Sequence, residues 1–338
     1  MIKSLPLEKP YSTLYIEEAL LHTSEVEIVQ NKFQNAEIII IENHQEIFNR
    51  FNQDFRFQKL SPKIILAKKS HNFLYPGSPY TPSFNHPHHF YNLLALNCIY
   101  DCTYCYLQAL YKSANLLLYL NLSDFFDETK KKLDELKSLY LCISYDTDLL
   151  ALENIFPYCQ YWYDFIKDKA NLTIECRTKS ANFNALKKLI PIDNFILAWT
   201  LSPEEVIKSF ELKTPSLKAR LKSINEAISL GWKVRLCFEP VLNINDWQNI
   251  YKNFISEVAK SINLDLVFNF AIGTFRLNEE HYKSLEKMHP DNWLYNFPIL
   301  KNKRLITPKQ NVIQELENYV QNLLISNNVP ANKIFCFG

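Results

Sequence analysis

The chain has 338 residues, which suits one large α/β unit plus a smaller one and allows a sizeable buried core. Its 37 Lys and Arg residues balance 36 Asp and Glu residues, so no whole-molecule field draws it onto nucleic acid or an anionic membrane. Only four glycines occur, which excludes the GxGxxG and P-loop nucleotide-binding motifs.

The start of the chain predicts a small N-terminal α/β domain over residues 1–60. Strands are predicted at 13–16 and 36–41, with a helix at about 24–34 between them, and the β-branched run AEIIII favours a buried parallel strand. Residues 1–10 lack the apolar core of a signal peptide, and no apolar run approaches the ~20 residues of a membrane span. A cytoplasmic protein without a membrane partner is therefore expected.

Residues 61–90 are predicted to connect the first domain to the second. Five prolines and Gly77 fall in this stretch, which cannot hold a long helix. It ends in the sequence HPHHF, which brings three histidines together at His86, His88 and His89.

Residues 91–290 are predicted to form an open or partly closed β/α barrel, followed by an extension at 291–338. Six short apolar runs alternate with helical segments, and strands separated by helices pair in parallel with right-handed crossovers. The six candidate strands are 93–96, 139–144, 172–176, 195–199, 234–238 and 266–271.

Polar or reactive residues follow every one of these candidate strands. Barrels of this kind carry their chemistry at the carboxyl ends of the strands, so these residues are candidates for one shared site. In chain order they are Asn97 and Cys98, then Tyr145 and Asp146, Arg177 to Lys179, Thr200 and Ser202, Glu239 and Pro240, and finally Gly273, Thr274 and Arg276.

Three of the eight cysteines lie within eight positions, at Cys98, Cys102 and Cys105. The spacing is C-x3-C-x2-C. Three thiolates on one tight loop can bind three irons of a cubane cluster and leave the fourth iron open to a small molecule. Structural zinc usually needs two separated ligand pairs. The alternative is a zinc ion completed by a distant residue, for which His86, His88 and His89 are the candidates.

The spacing, with an aromatic residue (Tyr104) before the third cysteine, resembles the radical S-adenosylmethionine (SAM) superfamily. Further matches resemble the spore photoproduct lyase family, whose members repair a thymine–thymine photolesion in DNA. These matches are FQKLSPKIILA at 57–67, YCYLQ at 104–108, LYLNL at 118–122, RTK at 177–179, VIKSFE at 206–211, residues 216–220, Gly231 with the strand after it, Pro240 with Trp247, and residues 273–276, so they extend from about Phe57 to Arg276.

The resemblance implies a partial (β/α)6 radical SAM barrel behind a small, partial Rossmann-like N-terminal α/β domain. It implies a 4Fe-4S cluster on Cys98, Cys102 and Cys105, and SAM as second cofactor. Carried over to this chain, Lys179, Thr200 and, less directly, Ser202 would contact SAM, and Tyr104 and Tyr106 would relay a hydrogen atom.

One position departs from the family's pattern. The family's lyases use a further cysteine at the end of the second strand to return a hydrogen atom to the product radical, and Tyr145 stands at that position here. Cys142 lies three residues earlier, on the opposite face of an unbulged strand, where a buried structural cysteine is the simpler interpretation.

The resemblance implies a carbon–carbon lyase that repairs DNA and receives electrons from an external donor such as flavodoxin or ferredoxin. Two alternatives remain open: a family member with a different substrate, and a non-catalytic iron–sulfur or zinc module that binds nucleic acid. A local patch for nucleic acid combines basic and aromatic residues. Its members are Lys301, Lys303, Arg304, Lys309, Trp293, Tyr295 and Phe297.

Overall fold

The computed structural model of the chain describes residues 9–78, 82–292, 294, 300–302 and 304–337. Two parallel sheets with covering helices form its framework. The helices are α1 (Ser24–Gln30), α2 (Gln45–Phe48), α3 (Phe55–Gln58), α4 (Leu107–Leu110), α5 (Leu122–Leu136), α6 (Leu149–Leu152), α7 (Tyr158–Ile166), α8 (Glu204–Phe210), α9 (Leu217–Ser229), α10 (Trp247–Ser261), α11 (Glu279–Met288) and α12 (Gln310–Ser326).

The strands are numbered in the same way along the chain. They are β1 (Thr13–Glu17), β2 (Glu37–Ile41), β3 (Ile64–Ala67), β4 (Tyr75–Pro76), β5 (His89–Tyr91), β6 (Ala95–Leu96), β7 (Asp101–Cys102), β8 (Leu116–Tyr119), β9 (Leu139–Cys142), β10 (Leu172–Thr178), β11 (Phe195–Thr200), β12 (Glu211–Leu212), β13 (Lys233–Val241), β14 (Asn269–Thr274), β15 (Leu277–Asn278), β16 (Leu300–Asn302), β17 (Leu305–Thr307) and β18 (Ile334–Cys336).

The first sheet has the strand order β2-β1-β3-β8-β6, parallel except for β6. Strand β2 is parallel, as its β-branched sequence predicts, but it lies at the edge of the sheet. The prediction that it is buried is wrong, because Ile38 and Ile40 are 50% and 57% exposed on its open face.

The second sheet has the order β18-β14-β13-β11-β10-β9-β5-β4, and every pairing from β5 to β18 is parallel. The predicted strands from 139 to 238 are confirmed as β9, β10, β11 and β13. The strand predicted at 266–271 begins three residues later, because Leu264–Leu266 forms a 3₁₀ turn.

The prediction that residues 93–96 form the first barrel strand is wrong. Ala95–Leu96 pairs with β8 in the first sheet, and the strand next to β9 is β5, from the segment predicted as a connector. An apolar run records burial but not the sheet that buries it. The division of the chain at residues 60, 90 and 290 stays a prediction.

The second sheet curls around its own core. Arg235 on β13 donates to the hydroxyl of Tyr140 on β9, two strands beyond its immediate neighbour, over 2.6 Å. Phe84 packs inside this curve, where the centre of its ring lies 3.2 Å from the guanidinium carbon of Arg235. The connector thus fills one end of the barrel. Among the described residues, no helix is both long and apolar enough to cross a membrane.

Candidate active site

A cavity of about 350 Å³ opens at the carboxyl ends of the barrel strands. Polar residues after β9, β10, β11, β13 and β14 line its wall, as their positions in the sequence predict. The predicted site residues on the wall are Cys98, Cys102, Cys105, Tyr104, Tyr106, Tyr145, Lys179 and Thr200.

Two predicted residues do not line the cavity. The Ser202 hydroxyl is buried and donates to Glu211 Oε1 over 2.8 Å, so it holds a carboxylate in place. Cys142 is buried on β9, and burial raises the pKa of its thiol to about 12. Ser202 lies two residues beyond the end of β11. Cys142 is level with Glu175 on the neighbouring strand, whose carboxylate pairs with Arg235 inside the barrel, so Cys142 faces the barrel's interior without reaching the cavity wall.

The loop of the three cysteines is fixed to the protein at several points. Asn97 adopts a left-handed conformation with φ 69° and donates through its side-chain amide to Ser113 O and Asn115 O. Cys102 lies on β7, which pairs with β12. Lys59 Nζ donates to the Cys98 carbonyl. The left-handed conformation explains why an asparagine is tolerated before the first cysteine.

Cys102 is buried and Cys98 and Cys105 are half-buried, and removal from solvent raises the pKa of each thiol, that of Cys98 to about 12. Thiolates at such a place need a cation to compensate their charge, which a metal centre supplies. No three His, Cys, Asp or Glu side chains of the described residues are placed to hold one metal ion between them.

The histidines considered as zinc ligands lie at the other end of the barrel. His86 stacks on Tyr140 at 4.4 Å between ring centroids, beside Ser138 and Asn171 where β9 and β10 begin. The cysteines line the cavity where these strands end. Because parallel strands place their starts and ends on opposite sides of a sheet, a zinc ion shared by the cysteines and these histidines is excluded.

Tyr104 and Tyr106 are held by two different carboxylates. The Tyr104 hydroxyl donates to Glu211 Oε1 over 2.5 Å, and the Tyr106 hydroxyl donates to Asp146 Oδ1 over 2.6 Å. Tyr111 donates to the other oxygen of Asp146. Burial raises the pKa of Asp146, while the two phenol donors favour its charged form. A hydrogen relay between Tyr104 and Tyr106 stays a prediction.

Lys179 faces the cavity from the end of β10. Its ammonium lies 5.7 Å from the centre of the Tyr104 ring. Burial opposes its charge, but nearby Glu211 contributes to a net rise in the pKa of Lys179 above its ordinary value. Its backbone N–H donates to Asp148 Oδ2 over 2.7 Å, which fixes the direction in which the strand ends.

Thr147 and Glu239 are cavity residues that carry unused polar atoms. Among the described residues, Thr147 Oγ1 and Glu239 Oε1 are buried without a hydrogen-bond partner, and both residues line the cavity. The other Glu239 oxygen accepts from Arg177 over 2.6 Å. Glu239 was predicted from its position at a strand end; Thr147 was missed, although it follows Tyr145 by two residues.

A model of the spore photoproduct lyase family matches residues 12–296. The chain belongs to this family. The spore photoproduct lyase of Geobacillus sp. (strain Y412MC61) is 23% identical over 205 residues, and the match covers 58% of this chain and 59% of that relative.

Solved structures of family members share the fold. A mutant spore photoproduct lyase with dinucleoside spore photoproduct is 17% identical, with a TM-score of 0.83 over 98% of this chain and 99% of the other. A double mutant with bound AdoMet and the same dinucleoside is 16% identical, with a TM-score of 0.82 and 99% of each chain covered. The α/β fold with a partial radical SAM barrel is confirmed.

The predicted nucleic-acid patch is only partly within the described residues. Arg304 and Lys309 are exposed. Trp293, Tyr295, Phe297 and Lys303 lie outside the described residues, as does the side chain of Lys301.

Proposed function

We propose that this chain is a radical SAM lyase that reverses a thymine–thymine photolesion in DNA. The observation that carries the proposal is the cavity, where Cys98, Cys102 and Cys105 share one wall with residues from five later strand ends. Family membership supports the reaction class, and dinucleoside spore photoproduct is bound in solved structures of family members.

The three cysteines fit a 4Fe-4S cluster better than a single ion. Three thiolates that each bind a different iron must stand further apart than the ligands of one ion, and no single-ion site occurs among the described residues. When bound, the cluster and SAM supply the adenosyl radical that starts the reaction. The thiols of Cys98, Cys102 and Cys105 would hold the cluster against the cavity wall.

SAM would lie against Lys179 and Thr200. The cationic Lys179 suits a carboxylate, and the AdoMet-bound family structure supports this cofactor. The unpartnered Thr147 hydroxyl is an additional contact at the same wall. Ser202 would act one step away by orienting Glu211, which also receives the Tyr104 hydroxyl.

Tyr145 would return the hydrogen atom to the product radical. Tyr145 lines the cavity and Cys142 does not, which favours the phenol over the thiol as donor. Tyr106 donates to the Tyr145 carbonyl over 3.2 Å and to Asp146, so it borders the same place. A lesion in DNA would have to leave the helix to reach this depth.

Reconstitution under anaerobic conditions tests the cofactors. We expect a brown protein with ~4 iron per chain that forms 5′-deoxyadenosine from SAM with dithionite or a flavodoxin or ferredoxin donor. A protein that binds nucleic acid but makes no 5′-deoxyadenosine, whether it is colourless with zinc or brown with iron, would favour the non-catalytic module instead.

A second candidate is a family member with another substrate, and Tyr145 at the donor position is the observation that favours it. Incubating the reconstituted enzyme with ultraviolet-irradiated DNA separates the two. Conversion of the lesion back to two adjacent thymines supports repair, whereas 5′-deoxyadenosine formation with the lesion left intact supports the other substrate.

Tyr145→Cys is the sharpest single change at this site. Because a thiol gives up its hydrogen atom more readily than a phenol, we expect the variant to repair lesions at least severalfold faster, with fewer side products. The measurement is the ratio of repaired to by-product dinucleotide after digestion, with Cys336→Ser, at an exposed site, as the control. Unchanged ratios would contradict a donor role for position 145.

A further inference from the structure

Three tyrosines form a continuous stack that leads away from the cavity. The rings of Tyr145 and Tyr91 lie 4.0 Å apart between centroids at an interplanar angle of 21°. The rings of Tyr91 and Tyr75 lie 5.2 Å apart at 16°. We call these three residues the tyrosine stack.

The fold creates the stack through strand pairing. Tyr75 on β4 lies directly opposite Tyr91 on β5 in an antiparallel pair, which places the two side chains on one face of the sheet. Tyr91 is level with Cys142 on the neighbouring parallel strand β9. Tyr145, three residues beyond, bends back over the Tyr91 ring where β9 has ended.

The two ends of the stack have different surroundings. Tyr145 lines the cavity, whereas Tyr75 lies at the edge strand of the second sheet, where Lys69 Nζ donates to its hydroxyl over 3.4 Å. All three rings are half-buried. Burial raises the pKa of Tyr91 to about 12 and also raises that of Tyr75, so both remain neutral phenols at physiological pH.

We propose that the tyrosine stack is a radical relay, in which Tyr145 passes the radical it receives from the substrate through Tyr91 to Tyr75. Stacked phenol rings in van der Waals contact exchange an electron readily. Removing the radical from Tyr145 prevents the return of the hydrogen atom from product to phenoxyl. The inference rests on the proposed function and adds two residues to it.

The steps balance in atoms and electrons. A carbon radical of the substrate takes the hydrogen atom of the Tyr145 hydroxyl, so an O–H bond breaks, a C–H bond forms and a phenoxyl radical remains. Tyr91 gives this phenoxyl one electron and releases its own proton to water, while Tyr145 takes a proton from water. Tyr75 then reduces the Tyr91 phenoxyl radical by the same exchange of an electron and protons with water. The resulting Tyr75 phenoxyl takes a hydrogen atom from an external thiol, which leaves as a thiyl radical.

The relay is testable in the protein without cofactors. Tyr145→3-aminotyrosine places an easily oxidised trap at the inner end of the stack, and azide radicals from pulse radiolysis oxidise tyrosines in contact with solvent. We expect the aminotyrosyl absorbance to grow in after the pulse, and Tyr91→Phe in the same protein to slow this growth at least tenfold.

The matched control is Tyr161→Phe. Tyr161 is a half-buried tyrosine on α7 that stacks on Phe156 at 5.5 Å and does not line the cavity. Phenylalanine keeps each ring and removes only the hydroxyl, so both variants preserve packing. Growth that is equally fast with and without the Tyr91 hydroxyl would overturn the relay.

The reconstituted enzyme gives a second measurement. With SAM, reductant, thiol and lesion, freeze-quenched samples should show a tyrosyl radical whose spectrum narrows with ring-deuterated tyrosine and persists severalfold longer in Tyr91→Phe. Equal lifetimes would count against the relay while SAM cleavage stands. Absence of 5′-deoxyadenosine would instead refute the proposed function, and pulse radiolysis would still decide the relay.

Discussion

Buried carboxylates organise the cavity residue by residue. Asp146 receives the hydroxyls of Tyr106 and Tyr111, Glu211 receives those of Tyr104 and Ser202, and neither carboxylate is open to solvent. Burial would raise the pKa of Glu211, but Lys179 and Arg220 outweigh it and lower that pKa. Tyr104 and Tyr106 therefore each have a fixed acceptor at the cavity.

Removing one thiol should empty the proposed cluster site. For Cys102→Ser we expect iron after reconstitution to fall from ~4 to below ~1 per chain, because a cubane held by two thiolates is exposed to loss. Cys336→Ser changes an exposed thiol away from the cavity and should retain full iron. Equal iron in both variants would contradict the assignment of Cys102.

Glu153 gives the stability of the protein a dependence on pH. Its carboxylate accepts from Cys159 N over 2.5 Å, and burial raises its pKa to about 7. The folded state thus binds the proton more tightly than the unfolded state. The stabilisation that protonated Glu153 contributes is fully present below the unfolded pKa near 4.5 and is lost as pH rises through about 7.

Glu153→Gln should remove this dependence. As pH rises from 5 to 8, wild type should lose on the order of 3 kcal/mol in unfolding free energy that the variant keeps, so the difference in stability between variant and wild type should grow by that amount. Urea unfolding at both pH values measures it, with Glu135→Gln on the exposed face of α5 as a control that should change little. A gain of the same size at both pH values would disprove the explanation.

At the scale of elements, Asp148 joins helix α6 to the end of β10. Its carboxylate accepts from Ala151 N at 3.0 Å as the helix N-cap, from Thr178 Oγ1 at 2.6 Å and from Lys179 N at 2.7 Å. One side chain therefore both begins the helix and fixes the strand end that presents Lys179.

Asp148→Ala should weaken both the start of helix α6 and the end of strand β10. Loss of the cap and of two buried partners should cost about 2–4 kcal/mol in unfolding free energy. Since Lys179 loses its anchor, the affinity for SAM measured by calorimetry should also fall. Asp164→Ala, which removes an exposed ion pair with Lys167, should cost less than about 1 kcal/mol and leave SAM affinity intact. Similar losses in both variants would contradict the argument.

The predicted elements succeeded where local pattern decides and failed where pairing decides. The six residues of β11 are apolar apart from Thr200, and this strand was predicted to within one residue. Ala95–Leu96 was assigned to the wrong sheet, because its antiparallel partner Leu116–Tyr119 lies beyond the cysteine loop. A two-residue strand carries no periodicity that distinguishes the two sheets.

At the scale of the whole molecule, charge fills part of the barrel's interior. Glu175 pairs with Arg235 and Arg177, and Arg177 pairs in turn with Glu239 at the cavity. Burial alone would raise the pKa of Glu175, but Arg177 and Arg235 lower it to about 2. The alternating charges connect the filled end of the barrel to the cavity wall.

Strand β18 closes this sheet beyond β14. Phe335 and Phe337 pack on Phe84, and Arg276 donates to the Phe337 carbonyl. A chain ending after Pro330 should lose about 3–5 kcal/mol, because partly buried apolar side chains are removed, and should aggregate through the uncovered edge of β14.

Urea unfolding and light scattering measure these two effects. A chain ending after Phe337 keeps β18 and serves as the matched control. A shorter chain that is as stable and as monodisperse as this control would show that β18 does not close the sheet.

The sequence by itself determined the cysteine loop, the parallel β/α order and most of the cavity wall. These depend on local spacing and on the rule that strand ends carry the site, as Lys179, Thr200 and Tyr145 illustrate. Only the tertiary structure decided that Ser202 and Cys142 do not line the cavity, that β5 is the first barrel strand, and that Tyr75, Tyr91 and Tyr145 stack. Those outcomes depend on pairing between segments distant in the chain, whose register no local pattern records.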